Sequence, residues 1–139
     1  MAELKMTPFE ALLCYEFIKD KLETHVEFAR CSSVDIELSY NGVGSNEMPA
    51  IIRRKLTKYS PHAIEAIANH DLEWHLVEQG RIAKSREEFL ESNVRLKHNI
   101  RTCAAIRLSK WSFEYWFYHA GAWCAEQACN RFGWDAWSS

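Results

Sequence analysis

The run Asn69-His70-Asp71-Leu72-Glu73-Trp74-His75 holds residue types that grip metal ions or move protons. At helical pitch Asp71 and His75 are four apart and share one face, so both can point at one ligand. A zinc protease needs His-Glu-x-x-His, which this run is not. His70 and His75 are five apart, and a step of five turns their rings well over a right angle from each other. A third ligand would have to come from His25, His62, His98 or His119, and no spacing selects one. Structural histidines are therefore expected here, with no metal and no cofactor.

Cys31-Ser32-Ser33 offers thiol and hydroxyl nucleophiles after the first helix. No glycine-framed elbow surrounds them, and no ordered histidine and acid partners can be assigned. His119, Cys124 and Cys129 fan around one helix in steps of five and do not converge. Gly42-Val43-Gly44 lacks the full spacing and the βαβ context of a phosphate loop. No catalysis is expected from these residues. A small metal-dependent or thiol enzyme, built on His70, Asp71 and His75 or on Cys31, stays as the second alternative.

The elements that would position these groups read as mainly α: a compact bundle of four long helices, one short helix, and one short strand or hairpin near residues 34–43. The first helix opens at Thr7-Pro8-Phe9-Glu10, a capping box with proline at the first helical position. It is expected to reach about Arg30, with Phe9, Leu12, Leu13, Phe17, Leu22 and Val26 as core face. Val34, Ile36, Leu38 and Tyr40 then alternate with Asp35, Glu37 and Ser39, the period of a half-buried strand, and Asn41-Gly42 is a tight-turn pair. A short second helix is expected from Pro49 to Tyr59. A third opens at Ser60-Pro61 and ends at Gly80. A fourth opens at Ser85-Arg86-Glu87-Glu88, a capping box, and carries Phe89, Leu96, Ile100 and Cys103. A fifth runs from about Lys110 to Arg131, with a break near Ser109 and a stop at Gly133. At 139 residues the chain fits one helical domain, residues 1–139.

The five cysteines are odd in number and irregular in spacing, a poor disulfide framework. The first residues lack the basic flank and apolar run of a signal peptide, and no run of 18 apolar residues occurs. A cytoplasmic protein without membrane contact is expected.

Net charge is −2, yet residues 49–110 carry most of the lysine and arginine. Arg53, Arg54, Lys55 and Lys58 cluster on the short helix, and Arg81, Lys84, Arg86, Arg95, Lys97, Arg101, Arg107 and Lys110 follow. Such a face can neutralise phosphates or select an acidic partner. A nucleic-acid-binding helical module using the second and fourth helices is the first alternative.

The densest feature is WSFEYWFYHAGAWC, residues 111–124. Projected at 100° per residue, Phe113, Phe117, Gly121, Cys124, Ala128 and Phe132 fall together, near Ala120 and Ala125, as an expected core stripe. Ser112, Tyr115, His119, Glu126 and Asn130 form a polar stripe, bordered by Trp116 and Trp123 on one side and Trp111 and Tyr118 on the other. Residues 111–130 hold no lysine or arginine, which disfavours base stacking and a membrane-surface role. Trp111, Tyr115, Trp116, His119 and Trp123 are the expected partner-binding residues, because tyrosine and tryptophan give large contact area with few rotatable bonds. The expectation is a non-enzymatic protein-binding domain, a homodimer, that occludes a surface of a larger complex. That profile also suits phage or mobile-element inhibitors of host systems, anti-CRISPR proteins among them, as an analogy of class.

Overall fold

Thr7 Oγ1 accepts the Glu10 N–H at 3.2 Å while the Glu10 carboxylate accepts the Thr7 N–H at 3.1 Å, and Pro8 fills the first helical position. This reciprocal cap starts α1, Pro8–Lys21. The computed structural model describes residues 5–41 and 61–139. Within them follow α2 Ser33–Ser39, α3 Ile64–Glu78, α4 Arg86–Arg107, α5 Phe113–Phe132 and α6 Trp134–Ser138. Single 3-10 turns span Val26–Arg30 and Pro61–Ala63. No strand occurs among the described residues. The expected helix Pro49–Tyr59, with Arg53, Arg54, Lys55 and Lys58, lies outside them.

Part of the sequence punctuation is obeyed; the helix expected to open at Ser60-Pro61 instead begins at Ile64, after a 3-10 turn over Pro61–Ala63 and without a side-chain cap. Ser85 Oγ accepts the Glu88 N–H and starts α4. Gly80, at φ 73°, ends α3 as the left-handed residue of a double cap. Arg81 N–H donates to Leu76 O at 2.8 Å and Gly80 N–H to Val77 O at 3.0 Å.

Several expectations fail. The first helix stops at Lys21, not near Arg30. Buried Asn99 takes the backbone out of the helix: its Nδ2 donates to Glu23 O at 2.8 Å and its Oδ1 accepts the Glu23 N–H at 2.9 Å. Asn69 Nδ2 adds a second bond to the same carbonyl. The buried face of α1 is Ala11, Cys14 and Ile18, while Phe9, Leu12 and Leu13, and Val26 beyond its end, are exposed. The small residues let α2 approach α1 closely.

The expected strand at 34–43 is a helix over Ser33–Ser39, and the hairpin return near Val43 lies outside the described residues. Ser32 and Asp35 form a second reciprocal capping box. Ile36 and Tyr40, four apart, are buried, whereas Val34 and Leu38 are exposed. Four apolar residues at alternate positions satisfy period two, but every second one also satisfies i,i+4. The helix closes its own backbone hydrogen bonds, which a lone strand does not.

α3 is the centre of the fold. Ala66 through Glu73 are buried without interruption, so this helix is covered on all sides. Its Ile67, Ala68, Leu72 and Leu76 join Ala11, Ile18, Ile36 and Phe89 in one apolar cluster. Ala63 and Ala66 join a second with Leu96, Ile100, Cys103, Tyr118, Ala122 and Cys129. The WDAW tail closes the first cluster. Trp137 packs edge-on to Trp74 and Phe89, and Trp134 edge-on to Phe89. Gly133 permits this, because a Cβ there would lie 2.7 Å from Cys129 O and 3.0 Å from the Trp74 ring.

Candidate interaction surface

Two polar layers decide which residues remain for function. In the first, Glu73 on α3 meets Arg95 on α4 in a two-pronged contact, with Nε to Oε1 at 3.1 Å and Nη2 to Oε1 at 2.5 Å. Burial pushes the Glu73 carboxyl up, and Arg95 opposes that shift. The carboxylate in turn raises Arg95 above its ordinary value. In the second, Asn93 Nδ2 on α4 donates to Asn130 Oδ1 on α5 at 2.7 Å. The Asn93 Oδ1 is thereby left to accept from His70 Nε2 at 2.9 Å. Burial lowers the His70 imidazole to about 4, so the ring is neutral at pH 7.

The metal-like run is therefore dispersed. His70 points at Asn93, Asp71 accepts the Asn41 N–H at 2.8 Å, and His75 faces Gln79. Among the described residues no group of three or more histidine, cysteine or acidic side chains is placed to hold a metal ion. Cys31 is buried, its thiol donating to Glu27 O, and burial raises its pKa. A raised pKa disfavours the thiolate, the reactive form. Ser32 is occupied as the cap of α2.

Much of the basic residue run is also engaged. Arg107 grips Glu65 with both terminal nitrogens, Lys97 lies 3.3 Å from Glu126, and Arg81 lies 3.6 Å from Glu27. Arg101 donates to His119 O at 3.3 Å. Arg86 stacks over Phe89 and Trp134.

The break falls near Ser109 as expected, and α5 starts at Phe113, three residues after Lys110. Leu108 caps α4, Ser109 O accepts from Ser112 N–H and Oγ, and Ser112 Oγ accepts the Tyr115 N–H at 3.2 Å. Its rotation is the reverse of the expected one. Tyr118, Ala122, Ala125, Glu126 and Cys129 are buried, and α5 lies antiparallel on α4 through Asn93–Asn130, Lys97–Glu126 and Arg101–His119. The polar stripe thus faces the body of the protein, where Asn93 meets Asn130, Lys97 meets Glu126 and Arg101 holds the His119 backbone carbonyl. The expected core stripe faces out: Phe113 is 87% exposed and Phe117 51%, and Gly121 and Cys124 are exposed as well.

Of the five expected partner-binding residues, three stand on this outer side. Trp111 is 88% exposed, Trp116 59% and Trp123 55%. Trp116 Nε1 donates to Lys110 O at 2.9 Å, which fixes the indole. Tyr115 and His119 are half-buried beneath it, with the His119 ring 4.4 Å from Tyr115 and 5.5 Å from Trp116. Burial, then Arg101, lowers the His119 pKa. These two side chains support the surface more than they form it. Phe113 and Phe117 were assigned to the core by sequence and belong to the surface. The tail covers Trp74 and Phe89 instead of Trp116 or Trp123.

The chain matches no protein-family model, no curated protein and no solved structure. Among the described residues, no helix is long and apolar enough to cross a membrane.

Proposed function

We propose that this chain is a non-enzymatic protein-binding domain that pairs with a second copy of itself through the outer face of α5. One observation carries the reading: Phe113, Trp116, Phe117 and Trp123 are each more than half exposed on a single well-capped helix. Water-facing aromatics grouped in this way mark contact surfaces, since burying each removes a large apolar area from water. The helix is held rigidly by its buried polar side, so ordering it costs little on association. Occlusion of a surface on a larger complex is the mode of action that goes with such a pair. The nucleic-acid reading has less support, because Arg95, Lys97 and Arg107 already hold carboxylates.

Sedimentation over a wide concentration range tests the proposal. The wild type is expected at twice the monomer mass, and Phe117→Ala with Trp123→Ala at the monomer mass with unchanged helical circular dichroism. A wild type that stays monomeric at the highest concentration overturns it.

A further inference from the structure

We infer that Arg101, on the rim where α4 meets α5, is a docking point for one aspartate or glutamate side chain of a foreign protein partner. This rests on the protein-binding reading above but not on self-association, and it names the chemistry of the partner. Arg95, Lys97 and Arg107, on the same helix, each hold a carboxylate of the chain. Among the described residues Arg101 pairs with none. Its one hydrogen bond runs from Nη2 to the His119 carbonyl at 3.3 Å, and its Nε is buried without an acceptor. A guanidinium carries five N–H donors and a permanent charge. This half-buried side chain therefore keeps most of its donors unused and its charge uncompensated.

The neighbouring imidazole feels that charge. Burial, then Arg101, lowers the His119 pKa, and His119 Nε2 is itself buried without a partner. The His119 ring lies 4.4 Å from Tyr115 and 5.5 Å from Trp116, so it links the cation to an aromatic edge. The Trp116 indole is 59% exposed and fixed by its bond to Lys110 O. An acidic residue with apolar neighbours matches this arrangement. Its carboxylate meets the guanidinium through charge-assisted bonds, and its neighbours lie on the indole.

Charge also selects among occupants. One free cation balances one carboxylate, whereas a nucleic-acid backbone is held by several cations at once. Lys97, one turn before Arg101, is already held by Glu126 at 3.3 Å. A second copy offers little here: the only carboxylates of α5 are Glu114, 3.3 Å from His62, and Glu126, which is buried.

NMR titration of the full-length chain tests the inference with four probes: acetyl-Leu-Glu-Leu-amide, its glutamine counterpart, acetate and inorganic phosphate. The glutamate peptide is expected to shift the Arg101 Nε–H and His119 ring signals saturably, with the glutamine peptide and acetate each roughly tenfold weaker or more. Arg101→Gln is expected to abolish the shift at His119 with unchanged helical circular dichroism and unchanged mass by sedimentation. Should that variant misfold, the glutamate and glutamine peptides on the wild type still decide. No saturable shift, or equal shifts from the two peptides, overturns the site. Acetate binding as tightly as the peptide overturns the protein partner in favour of a free acid, and phosphate binding more tightly overturns the carboxylate. A folded Arg101→Gln that loses a wild-type dimer makes the second copy the occupant and overturns the foreign one. A monomeric wild type that binds the glutamate peptide supports this inference and overturns self-association alone.

Discussion

His70 Nε2 and Asn93 Oδ1 meet at 2.9 Å across the α3–α4 interface, and both side chains are buried. The folded imidazole titrates at about 4 against an ordinary 6.5. Between these values the unfolded chain binds more protons, so the contribution is fully present above pH 6.5. It is lost as the pH falls towards 4, by about 3 kcal/mol in all. Urea midpoints at pH 7 and pH 4.5 measure this. His70→Gln keeps a donor for Asn93 and is expected to show a clearly smaller acid loss than the wild type. Equal losses in the two proteins refute the assignment.

Among the described residues Arg95 and Glu73 form the most buried ion pair, with 15% and 3% of their side-chain surfaces open. Arg95→Met strands a buried carboxylate and is expected to cost about 3–5 kcal/mol in urea unfolding. Changing both residues to methionine removes the stranded charge, so the double variant should recover most of that loss. A double variant as unstable as the single would show that the charge is not the cause.

The helix at Ser33–Ser39 gives a residue-level test against a strand. Ile36→Ala is expected to cost about 2–4 kcal/mol, because its buried side chain leaves a cavity. Val34→Ser and Leu38→Ser are expected within about 0.5 kcal/mol of the wild type, since both point to water. In a strand all three share a face, and comparable losses at all three would restore that reading.

Gly121 and Gly133 lie on α5 and at its end, and alanine should act in opposite directions. At Gly121 a methyl meets open space within the single chain, so thermal unfolding of Gly121→Ala at concentrations where the chain is monomeric should show about 0.5–1 kcal/mol of added stability. At Gly133 the methyl runs into Cys129 O, Trp74 and Phe89, which lifts the tail off the first core cluster. Gly133→Ala is expected to destabilise by about 1–3 kcal/mol, read as a lower urea midpoint and altered tryptophan fluorescence. An unchanged midpoint would mean that the tail is not held there.

Those helix ends that carry a local signal were legible. Thr7 with Glu10, Ser85 with Glu88, Gly80 and Gly133 act on backbone groups within four residues, and each works as its position in the chain implies. Ser32 with Asp35 is the same signal, and the alternation beside it hid it. Asn69, Glu73, Asn93 and Asn99 went unremarked as core residues. Their trace was present, since Asn93 and Asn99 share the heptad-like phase of Phe89, Leu96, Ile100 and Cys103.

The sequence by itself determined a mainly helical chain, most of its helix starts and stops, and the presence of more aromatic surface in α5 than one side can use. The tertiary structure alone decided which side of α5 turns inward. Hydrophobicity predicts that Phe113 and Phe117 are buried and that Glu126 and Asn130 are exposed. That prediction reverses once a neighbouring helix supplies partners. Asn93 and Lys97 on α4 meet Asn130 and Glu126 of the polar stripe, Arg101 holds the His119 carbonyl, and Tyr118, Ala122 and Cys129 beside it fill the second core cluster. Rotational phase depends on what stands opposite, 18 to 37 residues away in the chain, and no local pattern carries that information.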